Sequence, residues 1–285
     1  MSSHTYTLLA SCSDRVGIVA KVSEFIASHN GWITEASYHT DTLSHWFFMR
    51  HVIDANSLPF DIEEFRQKFI PCAEELGLQW SISDSDVPKR VIVMVSKEEH
   101  CLAELLYRWR AQDIQFEIAA VISNHETMRD YVEFHGLPYH YIPIDKNTRD
   151  SSFKEVEKLF DKYQVDNIVL ARYMQILPTE LCQQYASKII NIHHSFLPSF
   201  VGAKPYHQAY ERGVKLIGAT SHYVTGELDA GPIIEQDVIR VNHDTRVEDM
   251  VRLGKDVEKI VLARALRYVI EDRVLIHGNK TVVFN

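Results

Sequence analysis

The chain has 285 residues, 46% hydrophobic and 24% charged, the composition of a folded globular protein long enough for one large domain or two ordinary ones. Its formal net charge of −9 argues against a general nucleic-acid surface, which needs clustered positive charge, and no run approaches the roughly 20 apolar residues that span a bilayer. Four scattered cysteines (Cys12, Cys72, Cys101, Cys182) form no CxxC pair, and the opening MSSHTYTLLASC lacks the basic and apolar regions of a secretion signal, so reduced thiols and a cytoplasmic location are expected.

Tyr6 to Ala10 reads as an apolar strand, followed by a turn through Ser13, Asp14 and Gly17. The next segment, about Ile18 to His29, places Val19, Val22, Phe25 and Ile26 on one helical face. Ile33 to His39 and Trp46 to Ile53 are strand-like around a polar turn at Asp41. Asp61 to Leu76 has helical periodicity in Ile62, Phe65, Phe69 and Ala73, with Gly77 as its stop, and Leu78 to Ile82 is a further strand. The order βαββαβ predicts a ferredoxin-like domain over residues 1–85, with the polar stretch Ser83 to Lys89 as a linker.

From Arg90 the pattern changes. VIVMV is a continuous apolar strand, His100 to Arg110 is helical, and Phe116 to Ile122 and Tyr139 to Ile144 are strands. Phe153 to Tyr163 is amphipathic, and Asp166 to Ala171 and Ile189 to His193 are two more buried strands. Such alternation predicts an α/β domain over residues 86–285, a mostly parallel Rossmann-like sheet with helices on both faces. Leu216 to Val224 and Ile233 to Val241 continue the sheet, a long helix runs from roughly Arg246 to Glu271, and a hairpin turns around Gly278.

Asn191 and His193 stand two apart at the end of a predicted strand, so they share a face while Ile192 and His194 point the other way. Ligands of open α/β sheets sit at the carboxyl ends of strands. Asp229 lies in ELDAGP, where Gly231 and Pro232 suggest a fixed loop that can return a carboxylate to His193. An amide, an imidazole and a carboxylate together suit attack on a small carbonyl: the amide holds an oxyanion, the imidazole moves a proton, the carboxylate orients and charges the imidazole. Spacing alone leaves open that His193 is a hydrogen-bonded core histidine and Asn191 a cap. A metal site of His193, His194, His207 and His222 is disfavoured, because adjacent strand residues face opposite sides and no HxH or HxxxH pattern occurs. His207, in PYHQAYERG, reads as part of a surface helix.

The stretch NIHHSFLPSFVGAKPYHQAYERGVK, with GATSHYV and ELDAGPII, closely resembles the signature of folate-dependent formyltransferases, such as glycinamide ribonucleotide transformylase and the formyl domain of methionyl-tRNA formyltransferase. The likeness extends back to about Arg90 and includes LARYMQILP, Leu170 to Pro178, which matches the family's pterin-binding loop. SCSDRVGIVAKVSEFI resembles the opening of an ACT domain. The combination resembles the formyltetrahydrofolate deformylase family, hydrolases that take 10-formyltetrahydrofolate and water to tetrahydrofolate and formate.

That resemblance implies Asn191, His193 and Asp229 as catalytic residues. It also implies Met174, Ile176, Leu177, His222 and Thr225 around the folate, and a candidate amino-acid effector turn at Asp14, Arg15 and Gly17. It implies no cofactor besides the folate substrate, no metal, no membrane or nucleic-acid partner, a homo-oligomer, and a role in formate supply for purine synthesis and in balancing one-carbon folate pools. Two departures matter. VMVSKEEHCLAELL has no glycine where transformylases cradle a phosphate, and Glu98 and Glu99 are expected to repel one, leaving water as acceptor. Gln175 stands where relatives commonly carry a basic residue, a loss that Arg172 or Lys204 is expected to offset. Formyl transfer to an amine, or a folate-binding regulator with an inactive formyl domain, are the competing readings.

Overall fold

The computed structural model describes residues 4–199 and 205–284, which fall into two compact units. The first holds the described residues up to Pro88, with Glu271–His277 and the chain end from Val282; the second holds Lys89–Ile270 and Gly278–Thr281. The C-terminal segment thus clusters with the first unit, not with the second as the predicted boundary at residue 86 would have it. Imidazole stacking accounts for part of this: His277 lies 4.9 Å from the Trp46 ring and 5.7 Å from Phe48.

In the first unit, strand β1 (Thr5–Ser13), helix α1 (Ile18–Ser28), strands β2 (Trp32–Asp41) and β3 (Trp46–Asp54), helix α2 (Ile62–Leu76) and strand β4 (Gln79–Asp84) follow in order. The antiparallel sheet runs β2-β3-β1-β4, the ferredoxin-like arrangement predicted. Leu8, Met49 and Ile53 of the sheet are buried against Val22 and Ile26 of α1 and Phe65 and Phe69 of α2. Asp61 caps α2 by accepting from the Glu64 amide at 2.9 Å, and Gly77 ends it at φ 62°, a left-handed turn that glycine enters without strain. Ser83 and Asp84 pair with β1, so the connection to the second unit is only the short run after β4 that ends at Pro88.

The second unit contains strand β5 (Lys89–Val95), helix α3 (His100–Arg110), strand β6 (Phe116–Ser123), helix α4 (Arg129–Phe134), strand β7 (Tyr139–Tyr141), helix α5 (Arg149–Tyr163) and strand β8 (Asn167–Leu170). Helix α6 (Thr179–Gln184), strand β9 (Ile189–His193), helix α7 (Pro205–Arg212), strands β10 (Leu216–Tyr223) and β11 (Ile233–Arg240) and helix α8 (Val247–Ile270) follow, and a ribbon of β12 (Val274–His277) and β13 (Lys280–Val283) ends the chain. The seven-stranded sheet runs β11-β10-β9-β8-β5-β6-β7. Its five central and far strands are parallel, while β10 and β11 run antiparallel. Every residue of VIVMV in β5 is fully buried, as a two-faced parallel strand requires. Ile92 and Met94 pack with Phe153, Val156 and Phe160 of α5, and α8 covers β9, β10 and β11 on its own side. β7 is half the predicted length because Pro143 has no N–H with which to extend a ladder.

Candidate active site

β9 ends at His193 on the carboxyl edge of the parallel strands, and its antiparallel pairing with β10 sets Asn191 opposite His222 and Thr220 opposite His193. The Asn191 amide nitrogen is 3.3 Å from Nε2 of His222, whose Nδ1 donates to the Tyr223 carbonyl at 2.8 Å. Thr220 accepts from the Leu197 amide at 3.0 Å and donates to the Ser195 carbonyl at 2.9 Å, which fixes the chain just beyond the histidines.

Asp229 arrives from the β10–β11 loop. Its Oδ2 lies 3.2 Å from Nδ1 of His193 and its Oδ1 3.7 Å from Nε2 of His222. The loop is held close to β10: a Cβ on Gly231 would meet the Tyr223 carbonyl oxygen at 1.8 Å, so only glycine fits there. Asp229 itself has φ 54°, a conformation that aspartate tolerates better than most residues. Burial works against ionisation of this carboxyl, but the His193 and His222 bonds overcome it and hold the group well below the usual carboxylate range. With Nδ1 facing Asp229, Nε2 of His193 is buried and has no hydrogen-bond partner among the described residues.

These groups line a cavity of about 630 Å³, the size of a small-molecule site. Met174, Ile176 and Leu177 line it, as do Gln175 and the segment from Val224 to Asp229, which includes Thr225 and Leu228. Met174 and Ile176 are 57% and 58% exposed although apolar, the condition of side chains that await a ligand surface. The loop that carries them is pinned by Ser96, whose hydroxyl accepts from the Met174 amide at 2.9 Å and donates to the Asn124 side chain at 2.7 Å. Arg149 donates to the Ile176 carbonyl at 2.5 Å.

Four expectations change. His194 does not point away from His193: β9 stops at His193, period two no longer applies, and the two rings lie 5.3 Å apart in the same cavity. Burial and then Arg172 lower the His194 pKa to about 4, so this ring is neutral at neutral pH. His207 is exposed on α7 as predicted, yet it also lines the cavity. Of the two glutamates expected to repel a phosphate, Glu99 is exposed ahead of α3 and only Glu98 lines the cavity, where Lys255 pairs with it at 2.5 Å. That bond holds the Glu98 carboxyl low, against the cost of burial, and its charge is neutralised. Arg172 does not stand in for a basic residue at Gln175, because its side chain is 14% exposed, hydrogen-bonded to His194 and ion-paired with Glu258; Lys204 lies outside the described residues.

Sequence reasoning missed Glu258, Ser96 and the cavity role of His194. The first had a signal, since it is the one carboxylate on the buried stripe of α8 among Val257, Val261 and Leu262. At the other proposed site, Gly17 opens α1 at φ 96°, Arg15 donates to the Glu75 carbonyl at 2.8 Å, and the Asp14 amide bonds the His45 carbonyl at 2.8 Å. None of these three is among the residues lining the cavity.

A family model described as "Formyl transferase" matches residues 89–266. A formyltetrahydrofolate deformylase of Bacillus subtilis (strain 168) is 48% identical over 279 residues, covering 98% of this chain and 93% of its own. The crystal structure of a formyltetrahydrofolate deformylase from Pseudomonas syringae pv. tomato superposes with a TM-score of 0.98 at 62% identity, covering 100% of this chain and 95% of that one. A glycinamide ribonucleotide transformylase from Symbiobacterium toebii is similar over 70% of this chain and 95% of its own, at 29% identity and a TM-score of 0.65.

Proposed function

This chain belongs to the formyltetrahydrofolate deformylase family, and on that premise we propose that it hydrolyses 10-formyltetrahydrofolate to tetrahydrofolate and formate. The observation that carries the reading is the convergence of Asn191, His193, His222 and Asp229 in the cavity that Met174, Ile176 and Leu177 also line. A flat pterin suits the apolar part, and the formyl group is then presented to the polar part.

In this mechanism a water oxygen attacks the formyl carbon. The carbonyl oxygen takes up negative charge, stabilised by the Asn191 amide and by a proton on Nε2 of His193, each well-placed donor contributing about 3 kcal/mol. Asp229 orders the His193 ring and, directly or through a bound water, accepts the proton of the attacking water. The C–N10 bond breaks as N10 takes the proton that Asp229 received, and the remaining hydroxyl proton passes to solvent, releasing tetrahydrofolate and formate. His222 supports the Asn191 amide, and the backbone of the Thr225 to Asp229 loop reads the pterin edge.

The physiological consequence we infer is formate supply for purine synthesis and control of the balance between folate pools. The first unit is read as an ACT domain that binds an amino acid at the Asp14–Gly17 turn or assembles a homo-oligomer. Screening free amino acids by thermal shift separates these, since a ligand of the native state raises the melting temperature. Formate release from 10-formyltetrahydrofolate in the absence of any amine tests the central proposal.

A further inference from the structure

Glu258 is 1% exposed, lines the cavity, and has no part in the mechanism above. Three side chains converge on its carboxylate: Nε2 of His100 donates at 2.8 Å, the Tyr206 hydroxyl donates at 2.7 Å, and Nε of Arg172 lies at 3.3 Å. Burial opposes its ionisation, but the His100 bond, Arg172 and Tyr206 together hold the carboxyl below its ordinary range, so it is an anion at neutral pH. Gly254, one turn earlier on α8, makes this possible. A Cβ there would meet the Tyr206 hydroxyl oxygen at 2.0 Å, and without it the phenol lies against the helix and reaches Glu258.

A buried ion pair is weak support for stability, because desolvation offsets much of the attraction. A guanidinium, an imidazole and a phenol around one anion are, however, the donors that hold the carboxylate or phosphate of a ligand. Here the anion belongs to the chain. The Glu258 carboxylate also lies with His100 and Cys101, their ligand atoms all within 4.8 Å of one another. A metal there is disfavoured by the guanidinium already on the carboxylate and by burial that pushes the Cys101 thiol well up.

We propose that Glu258 is the built-in occupant of an anion receptor in the cavity wall, and that it sets acceptor specificity by denying that receptor to phosphorylated or carboxylated amines. Water is then the acceptor that remains. The specificity half rests on the hydrolysis proposed above; the receptor does not. The sequence had pointed to Glu98 and Glu99 for this exclusion, but the fully buried charge is Glu258.

The test titrates the full-length chain with sodium phosphate, sodium acetate and O-phosphoethanolamine, each against sodium chloride at equal ionic strength, and reads the melting temperature. Glu258→Ala should gain about 5 °C or more at saturating anion, whereas the wild type and Glu258→Gln, whose amide still fills the space, should move no more than in chloride. Adding Arg172→Ala to the alanine variant should abolish the gain. An equal response of wild type and Glu258→Ala, or a gain that survives loss of Arg172, would overturn the proposal. If Glu258→Ala does not fold in chloride, its soluble recovery on refolding becomes the readout: rescue by phosphate or acetate is expected, and no rescue overturns the receptor. Formate release by the wild type is measured separately. Its absence would remove the hydrolysis and the specificity half, while the melting temperatures still decide the receptor.

Discussion

Asp229 Oδ2 lies 3.2 Å from Nδ1 of His193, and Nε2 of the same ring is buried with no hydrogen-bond partner among the described residues. The carboxylate fixes which nitrogen faces it and so leaves the other for the reacting group. His222, on the neighbouring strand, approaches the same carboxylate at 3.7 Å and the Asn191 amide at 3.3 Å, which ties the three proposed catalytic groups into one network.

Asp229→Asn keeps the shape of that network and removes its charge. Turnover should fall about a hundredfold or more, with circular dichroism unchanged. The same variant should show a pH signature. A carboxyl whose folded value is depressed adds stability above its unfolded value of about 4, and that stability is lost as pH falls through the folded value. Denaturant titrations should therefore show wild type and variant converging below about pH 4.

The first unit carries its own pH dependence. His51 is fully buried, 2.8 Å from the Tyr38 hydroxyl, and burial lowers its pKa from 6.5 to about 4. Between those values the unfolded chain binds a proton that the folded chain does not, so stability falls on acidification through that window, by up to about 3 kcal/mol. His51→Gln should flatten this part of the stability curve. An unchanged slope between pH 6.5 and 4 would show that other groups dominate.

Gly231→Ala should lower turnover without touching a catalytic side chain. Its methyl would strike the Tyr223 carbonyl oxygen, and the loop must move, carrying Asp229 away from His193. Overpacking of this kind costs about 1–3 kcal/mol in stability. The melting temperature should therefore fall together with kcat.

Ile176→Ser should separate binding from chemistry. The side chain is exposed and lines the cavity but stands outside the Asp229 network. Loss of its apolar contact should raise KM about tenfold and leave kcat within about twofold. An equal fall in kcat would place Ile176 nearer the reacting atoms than proposed.

The sequence was most legible where one physical signal dominated. His100 to Arg110 and Ile189 to His193 match α3 and β9 residue for residue, because amphipathic period and continuous apolar runs end at clear boundaries. Helices α4 and α6 were missed; six residues each is too short for a helical period to register. The antiparallel direction of β10 and β11 is a property of pairing that no run of residues displays. Asn191, His193 and Asp229 were legible as chemistry and as family signature, while the wrong side was assigned to His194 because a strand period was extended one residue past the strand. Glu98 and Glu99 drew notice as adjacent charges, yet only the fold shows that Lys255 neutralises one, that the other is exposed, and that Glu258 is the charge held inside.

The most direct measurement is formate produced from 10-formyltetrahydrofolate by the purified chain, with and without added amines, beside the Asp229→Asn variant. Stoichiometric formate and tetrahydrofolate without any amine, no acceleration by amines, and near-complete loss in the variant are expected. Formate that appears only with an amine, or turnover in Asp229→Asn close to that of the wild type, would contradict it.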